Sequence, residues 1–120
     1  MASYKISFGD HATVHGDFVV ANSIQNSFNK ATSSAASEEI KNKLRELCEA
    51  VVKMTTQLPA NSAQAASRDL EALTNEVVSE SPRPSAYQVS ANGLIEAAKA
   101  VSEVGLPVIK FVKDLLSLLA

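Results

Sequence analysis

The residues of this chain whose types could carry chemistry are two histidines, one cysteine and a scatter of carboxylates. His11 and His15 lie between Asp10 and Asp17 in "GDHATVHGD". A His-x3-His pair holds zinc when a helix brings both imidazoles to one face. Here the pair sits in an alternating, glycine-punctuated stretch. At about 3.3 Å per residue an extended chain separates positions four apart by about 13 Å, too far for one ion. The pattern therefore predicts solvent-facing histidines and no metal. Cys48 stands between Leu47 and Glu49 without the histidine or cationic cluster that a thiolate needs, so it reads as a helix-packing residue. No serine lies in a Gly-x-Ser-x-Gly elbow. Gly9 and Gly16 are too far apart for a dinucleotide or phosphate loop. The expectation is a chain with no catalytic residue and no cofactor, not an enzyme.

Composition narrows the partners. The chain has 120 residues, a net charge of −2 and no Trp, with aromatics at 5%. Nucleic-acid binding calls for a basic footprint or aromatic stacking platforms, and neither is present, so no nucleic-acid partner is expected. A single cysteine forms no internal disulfide, and the first residues lack the basic and apolar regions of a secretory signal. Both features predict a reducing, cytoplasmic setting.

The elements that would position any site follow from hydrophobic periodicity. In residues 4–24 the even positions include Tyr4, Ile6, Phe8, Val14, Phe18, Val20 and Ile24, with polar residues mostly between them. A period of two predicts strands at about 3–8 and 13–21, paired as a hairpin across Gly9-Asp10. Residues 1–24 are thus assigned to a β-hairpin and 25–36, polar and small, to a linker. Ser37 before Glu38 and Glu39 is a helix N-cap. Ile40, Leu44, Leu47, Val51, Met54 and Leu58 then recur at spacings of 4 and 3 until Pro59 stops the helix. Asn61 or Ser62 can cap a second helix striped by Ala63, Ala66, Leu70, Leu73 and Val77. The short connection predicts an antiparallel helical hairpin over 37–80. Pro82 and Pro84 around Arg83 place a loop at 81–89, with "AYQV" at 86–89 as a short third strand.

Residues 90–120 form the last, helical segment of a single domain. Leu94, Ala98, Val101, Gly105, Val108, Val112, Leu115 and Leu119 keep a 4/3 spacing straight through Pro107. That predicts either a kinked helix or two helices stacked nearly end to end, and Gly105 could equally end one helix with Pro107 opening the next. Ala97, Val104, Phe111 and Leu118 make a second stripe beside the first. Two apolar stripes are more than a helical hairpin can cover. Residues 106–120 carry Lys110, Lys113 and Asp114 and fall short of the roughly 20 apolar residues of a membrane span. The expected interface is therefore Val104, Val108, Phe111, Val112, Leu115, Leu118 and Leu119, burying itself in a homo-oligomer or against another protein. The alternative is a membrane-active effector whose last helix lies in the bilayer surface.

Taken together, "ISFGDHATVHGDFVVANSIQNSFNKA", the Leu-rich hairpin and "ANGLIEAAKAVSEVGLPVIKFVKDLL" resemble small accessory modules of bacterial, cyanobacterial-type conflict and signalling systems, encoded beside or fused to proteases and nucleotide-switch NTPases. The resemblance covers most of the chain and carries no invariant catalytic motif. It implies a non-enzymatic adaptor or assembly role and assigns no residue. The fold class predicted is α+β, mostly helical, with an N-terminal β-hairpin followed by an antiparallel helical hairpin and a long or kinked C-terminal amphipathic helix.

Overall fold

The clearest helix signal, Ser37 followed by two glutamates, is also the best-defined helix start. Ser37 is extended, and its Oγ accepts a hydrogen bond from the backbone N–H of Ile40 at 3.3 Å. This satisfies one of the N–H groups that a helix start leaves without a partner. The computed structural model describes residues 15–119, with side chains from residue 20 onward. These residues form five α-helices: α1 (His15–Ser33), α2 (Glu38–Thr55), α3 (Ala60–Val77), α4 (Pro84–Lys99) and α5 (Leu106–Leu119), with a 3-10 turn at Ser102–Gly105. There is no strand among the described residues.

The all-helical architecture overturns the expected α+β class. Residues 15–21, assigned to the second strand of the hairpin, open α1, and α1 continues through most of the expected linker to Ser33. The first expected strand, 3–8, lies outside the described residues. The misreading has a physical source. Val20, Ile24 and Phe28 are spaced four apart, which is one face of a strand and also one face of a helix. In the structure they are buried together with Ser27 and Ala31, the 3/4 pattern of a helix packed on its neighbours. Serine, asparagine and glycine weaken the intrinsic helix preference of this segment, and tertiary burial outweighs that preference.

The expected loop and third strand at 81–89 are corrected as well. Pro84 occupies the first turn of α4, where its missing N–H costs nothing and its fixed φ suits the helix. The loop ends at Arg83, whose guanidinium binds Glu76 through Nη2–Oε1 at 3.0 Å and Nε–Oε2 at 3.2 Å. The backbone N–H of Arg83 donates to the same Oε2 at 2.9 Å. One carboxylate at the end of α3 thus fixes the start of α4.

Helix neighbours close into a ring. α1 packs on α3, α3 on α4, α4 on α5, α5 on α2 and α2 on α1, with α2 and α3 also touching across the middle. The α2 and α3 stripes read from the sequence are the centre of this bundle. Leu44, Leu47, Val51, Met54, Leu70 and Leu73 are completely buried. Each such side chain contributes about 1.5–3 kcal/mol on burial. α3 begins after Pro59 with no side-chain cap, so Asn61 and Ser62 do not take the role assigned to them.

The chain breaks ahead of Pro107, which lies in the first turn of α5, so the helix is neither kinked at the proline nor stacked end to end on α4. α4 ends at Lys99, Ser102 adopts φ 52°, and the 3-10 turn leads into α5. α5 then turns back so that it packs against α4. Gly105 makes the reversal possible by space, not by conformation. A Cβ built there would lie 2.0 Å from the carbonyl oxygen of Ala98, so only glycine lets the two segments approach this closely.

Candidate interaction surface

α5 carries all but one of the residues singled out as an interface, and the structure divides them. Val108, Val112 and Leu115 are completely buried within one copy of the chain, facing α2 and α4. They belong to the monomer's core and present nothing to a partner. Val104, in the 3-10 turn, and Phe111 and Leu119 are half-buried, while Leu118 is 36% exposed. The reason for the division is α4. Read as a continuous helix, residues 94–119 need one large partner surface. Folded back as two helices, they cover much of each other's apolar side.

The second stripe, Val104 and Phe111, joins Pro107 on the flank of α5 that faces α2. With Glu46, Glu49, Ala50 and Lys53 of α2 these residues line a shallow groove of about 300 Å3. At one end of the groove Lys43 Nζ stands 5.4 Å from the centre of the Phe111 ring and Lys110 Nζ 5.5 Å from it. Two cations over one ring are held there by acid groups. Asp114 accepts from Lys110 at 2.9 Å and pairs with Lys43 at 3.5 Å, while Lys43 also reaches Glu46 at 3.3 Å. The hydrogen bond from Lys110, with Lys43 assisting, holds the Asp114 carboxyl below the ordinary carboxylate value. At Lys43 desolvation works against the charge, but Glu46 and then Asp114 outweigh it and hold its pKa above the ordinary lysine value.

Leu106, which sequence periodicity did not single out, is 60% exposed at the start of α5. It stands outside both stripes, so no spacing rule marks it. The α2 wall of the groove carries no such mark either, because Glu46, Glu49 and Lys53 are charged residues outside the apolar stripe of α2. Val89 on α4, 71% exposed, is the third large apolar side chain at the surface among the described residues.

The chemically capable residues are dispersed. Cys48 is completely buried in α2, and burial, with the charge of Glu49 adding, pushes its thiol up to about 12. A thiol so protonated is a weak nucleophile. His15 opens α1, and His11 lies outside the described residues. The extended spacing used to separate the two histidines therefore does not apply at His15. Among the described residues no three histidine, cysteine or acidic side chains converge as metal ligands, and no helix is long and apolar enough to cross a membrane. Two other depressions are more polar: one between α1 and α3, lined by Asn22, Asn26, Gln64, Arg68 and Glu71, and one between α1 and α2 around Asn42 and Arg45. The chain matches no family model, no curated protein and no solved structure.

Proposed function

We propose that this chain is a non-enzymatic protein-interaction and self-assembly module, an adaptor in a bacterial defence or signalling system, that meets a second copy of itself through the outer side of α5. One observation carries the reading: after α5 has filled the core with Val108, Val112 and Leu115, it still holds Leu106 and Leu118 at the surface. Exposed leucines set among Lys110, Lys113 and Ser117, on a helix whose inner side is already used, suit a surface that is covered part of the time. The drive is smaller than a wholly bare stripe would supply, so the assembly is a reversible, micromolar one. The bacterial setting rests on the sequence resemblance.

The test is light scattering on the wild type and on Leu106→Glu and Leu118→Glu, each checked for native helicity by circular dichroism. Self-association in the wild type that both variants weaken supports the reading. A wild type that is monomeric at every accessible concentration overturns it. The competing reading, action at a bilayer surface, requires α5 to release Val108, Val112 and Leu115 from the core. Flotation with anionic and neutral vesicles decides this point: a chain that floats favours the membrane, and one that stays below the gradient favours a protein partner.

A further inference from the structure

The groove between α2 and α5 carries a second kind of information, in its charges. Glu46 is paired with Lys43. Glu49 and Lys53, which line the same groove, are exposed and form no ion pair among the described residues. They stand four apart on α2, one turn, with the acid on the N-terminal side. This is the favourable order for a pair within the helix, yet the two remain apart. The rim of the groove thus offers one unpaired acid and one unpaired base on Cβ atoms about 6 Å apart, over a floor of Ala50, Val104, Pro107 and the Phe111 ring.

An anionic bilayer or an acidic peptide would leave Glu49 opposed by like charge, and a polybasic segment would do the same to Lys53. A partner that suits both must present a base and an acid in reverse order at the same spacing. A two-fold axis supplies this without further design, because an isologous interface sets each residue of a pair against the other residue of the second copy. We infer that this groove is the centre of a two-fold homodimer in which α2 runs antiparallel to its counterpart, with Glu49 facing Lys53 of the partner subunit and Lys53 facing Glu49 of the partner subunit. The inference rests on the self-association proposed above and adds its register.

The dimensions set its strength. At 1.5 Å per residue α2 and α5 are about 27 and 21 Å long, and two helices side by side are about 20 Å wide. Such a face buries about 1,000 Å2 in total, at the lower bound for specific complexes, which fits a reversible dimer.

The experiment is a charge exchange read by sedimentation equilibrium on the full chain. Glu49→Lys and Lys53→Glu are made singly and together, with circular dichroism confirming that these surface changes leave the fold intact. Each single reversal creates two like-charge contacts by symmetry and raises the dimer dissociation constant about tenfold. The double variant restores opposite charges at both contacts and returns the constant to within about threefold of the wild type. Restoration supports the two-fold register. If the chain dimerises but the single reversals have no effect, or the double variant is as weak as the singles, the register is overturned while self-association stands. If the wild type does not dimerise, the functional proposal falls first, and this inference falls with it.

Discussion

Replacing Gly105 by alanine tests the packing of the α4–α5 reversal with a single methyl group. The new Cβ would sit 2.0 Å from the Ala98 carbonyl oxygen, 2.6 Å from its carbon and 2.8 Å from its Cα. All three are backbone atoms, which no rotamer change can move. Ordinary contact begins at 3.4 Å, so the start of α5 must part from the end of α4 by more than an ångström. That separation loosens Val108 and Ala98, both completely buried. Overpacking of a rigid core costs about 1–3 kcal/mol and sometimes more, and backbone on both sides of the clash sets this case at about 2–4 kcal/mol. For a chain of this size each kcal/mol lowers Tm by about 3–5 °C, so the melting temperature followed by circular dichroism should fall by roughly 6–20 °C. Gly93→Ala is the matched control. Its Cβ meets the Asp69 carboxylate at 2.2 Å, but a side-chain end can swing aside. The better helix propensity of alanine, about 1 kcal/mol, offsets much of the cost, leaving that variant close to wild type. A Gly105→Ala protein that melts within about 2 °C of wild type would refute the packing described between α4 and α5.

Ser102 adopts φ 52°, where a side chain costs about 1–2 kcal/mol, so Ser102→Gly should raise stability by up to about 1 kcal/mol in urea unfolding. The hydroxyl of Thr74 is buried with no hydrogen-bond partner among the described residues; Thr74→Val removes it at nearly constant shape and should gain about 1 kcal/mol, read as a rise in Tm. Hydrogen bonds from the side chain and backbone of Arg83 lower the pKa of Glu76. Its contribution is therefore full above the ordinary glutamate value and fades as pH falls through the lower folded one, so Glu76→Gln should destabilise at neutral pH and converge on wild type in acid. Burial raises the pKa of Asp69, which reverses the sign. Asp69→Asn should gain stability at neutral pH, and the gain should shrink as pH falls through the raised folded value and vanish below the unfolded one, in a series of urea melts against pH.

The legible part of the fold was the part with one dominant period. Leu44, Leu47, Val51 and Met54 on α2, and Ala63, Ala66, Leu70, Leu73 and Val77 on α3, are all buried as their spacing predicts. α1 was obscured because its three largest buried residues fall at intervals of four, common to both periods, in a stretch of poor helix formers. Its loss from the reading left α2 and α3 without a wall and made the C-terminal segment look more exposed than it is. That segment was half legible. Leu94, Ala98, Gly105, Val108, Val112 and Leu115 are buried in register, but burial on one continuous helix and burial on two helices folded together give the same pattern. For this reason the interface prediction included Val108, Val112 and Leu115, which serve the core, and left out Leu106 and the α2 wall of the groove. Those depend on which helices become neighbours, a property the local period does not carry.

Self-association is the central claim, and its most direct measurement is the molar mass of the unmodified chain by sedimentation equilibrium from micromolar to millimolar concentration. The account predicts a mass that rises from 12.7 kDa toward twice that value along a monomer–dimer isotherm. A mass that stays at 12.7 kDa over the whole range would contradict it.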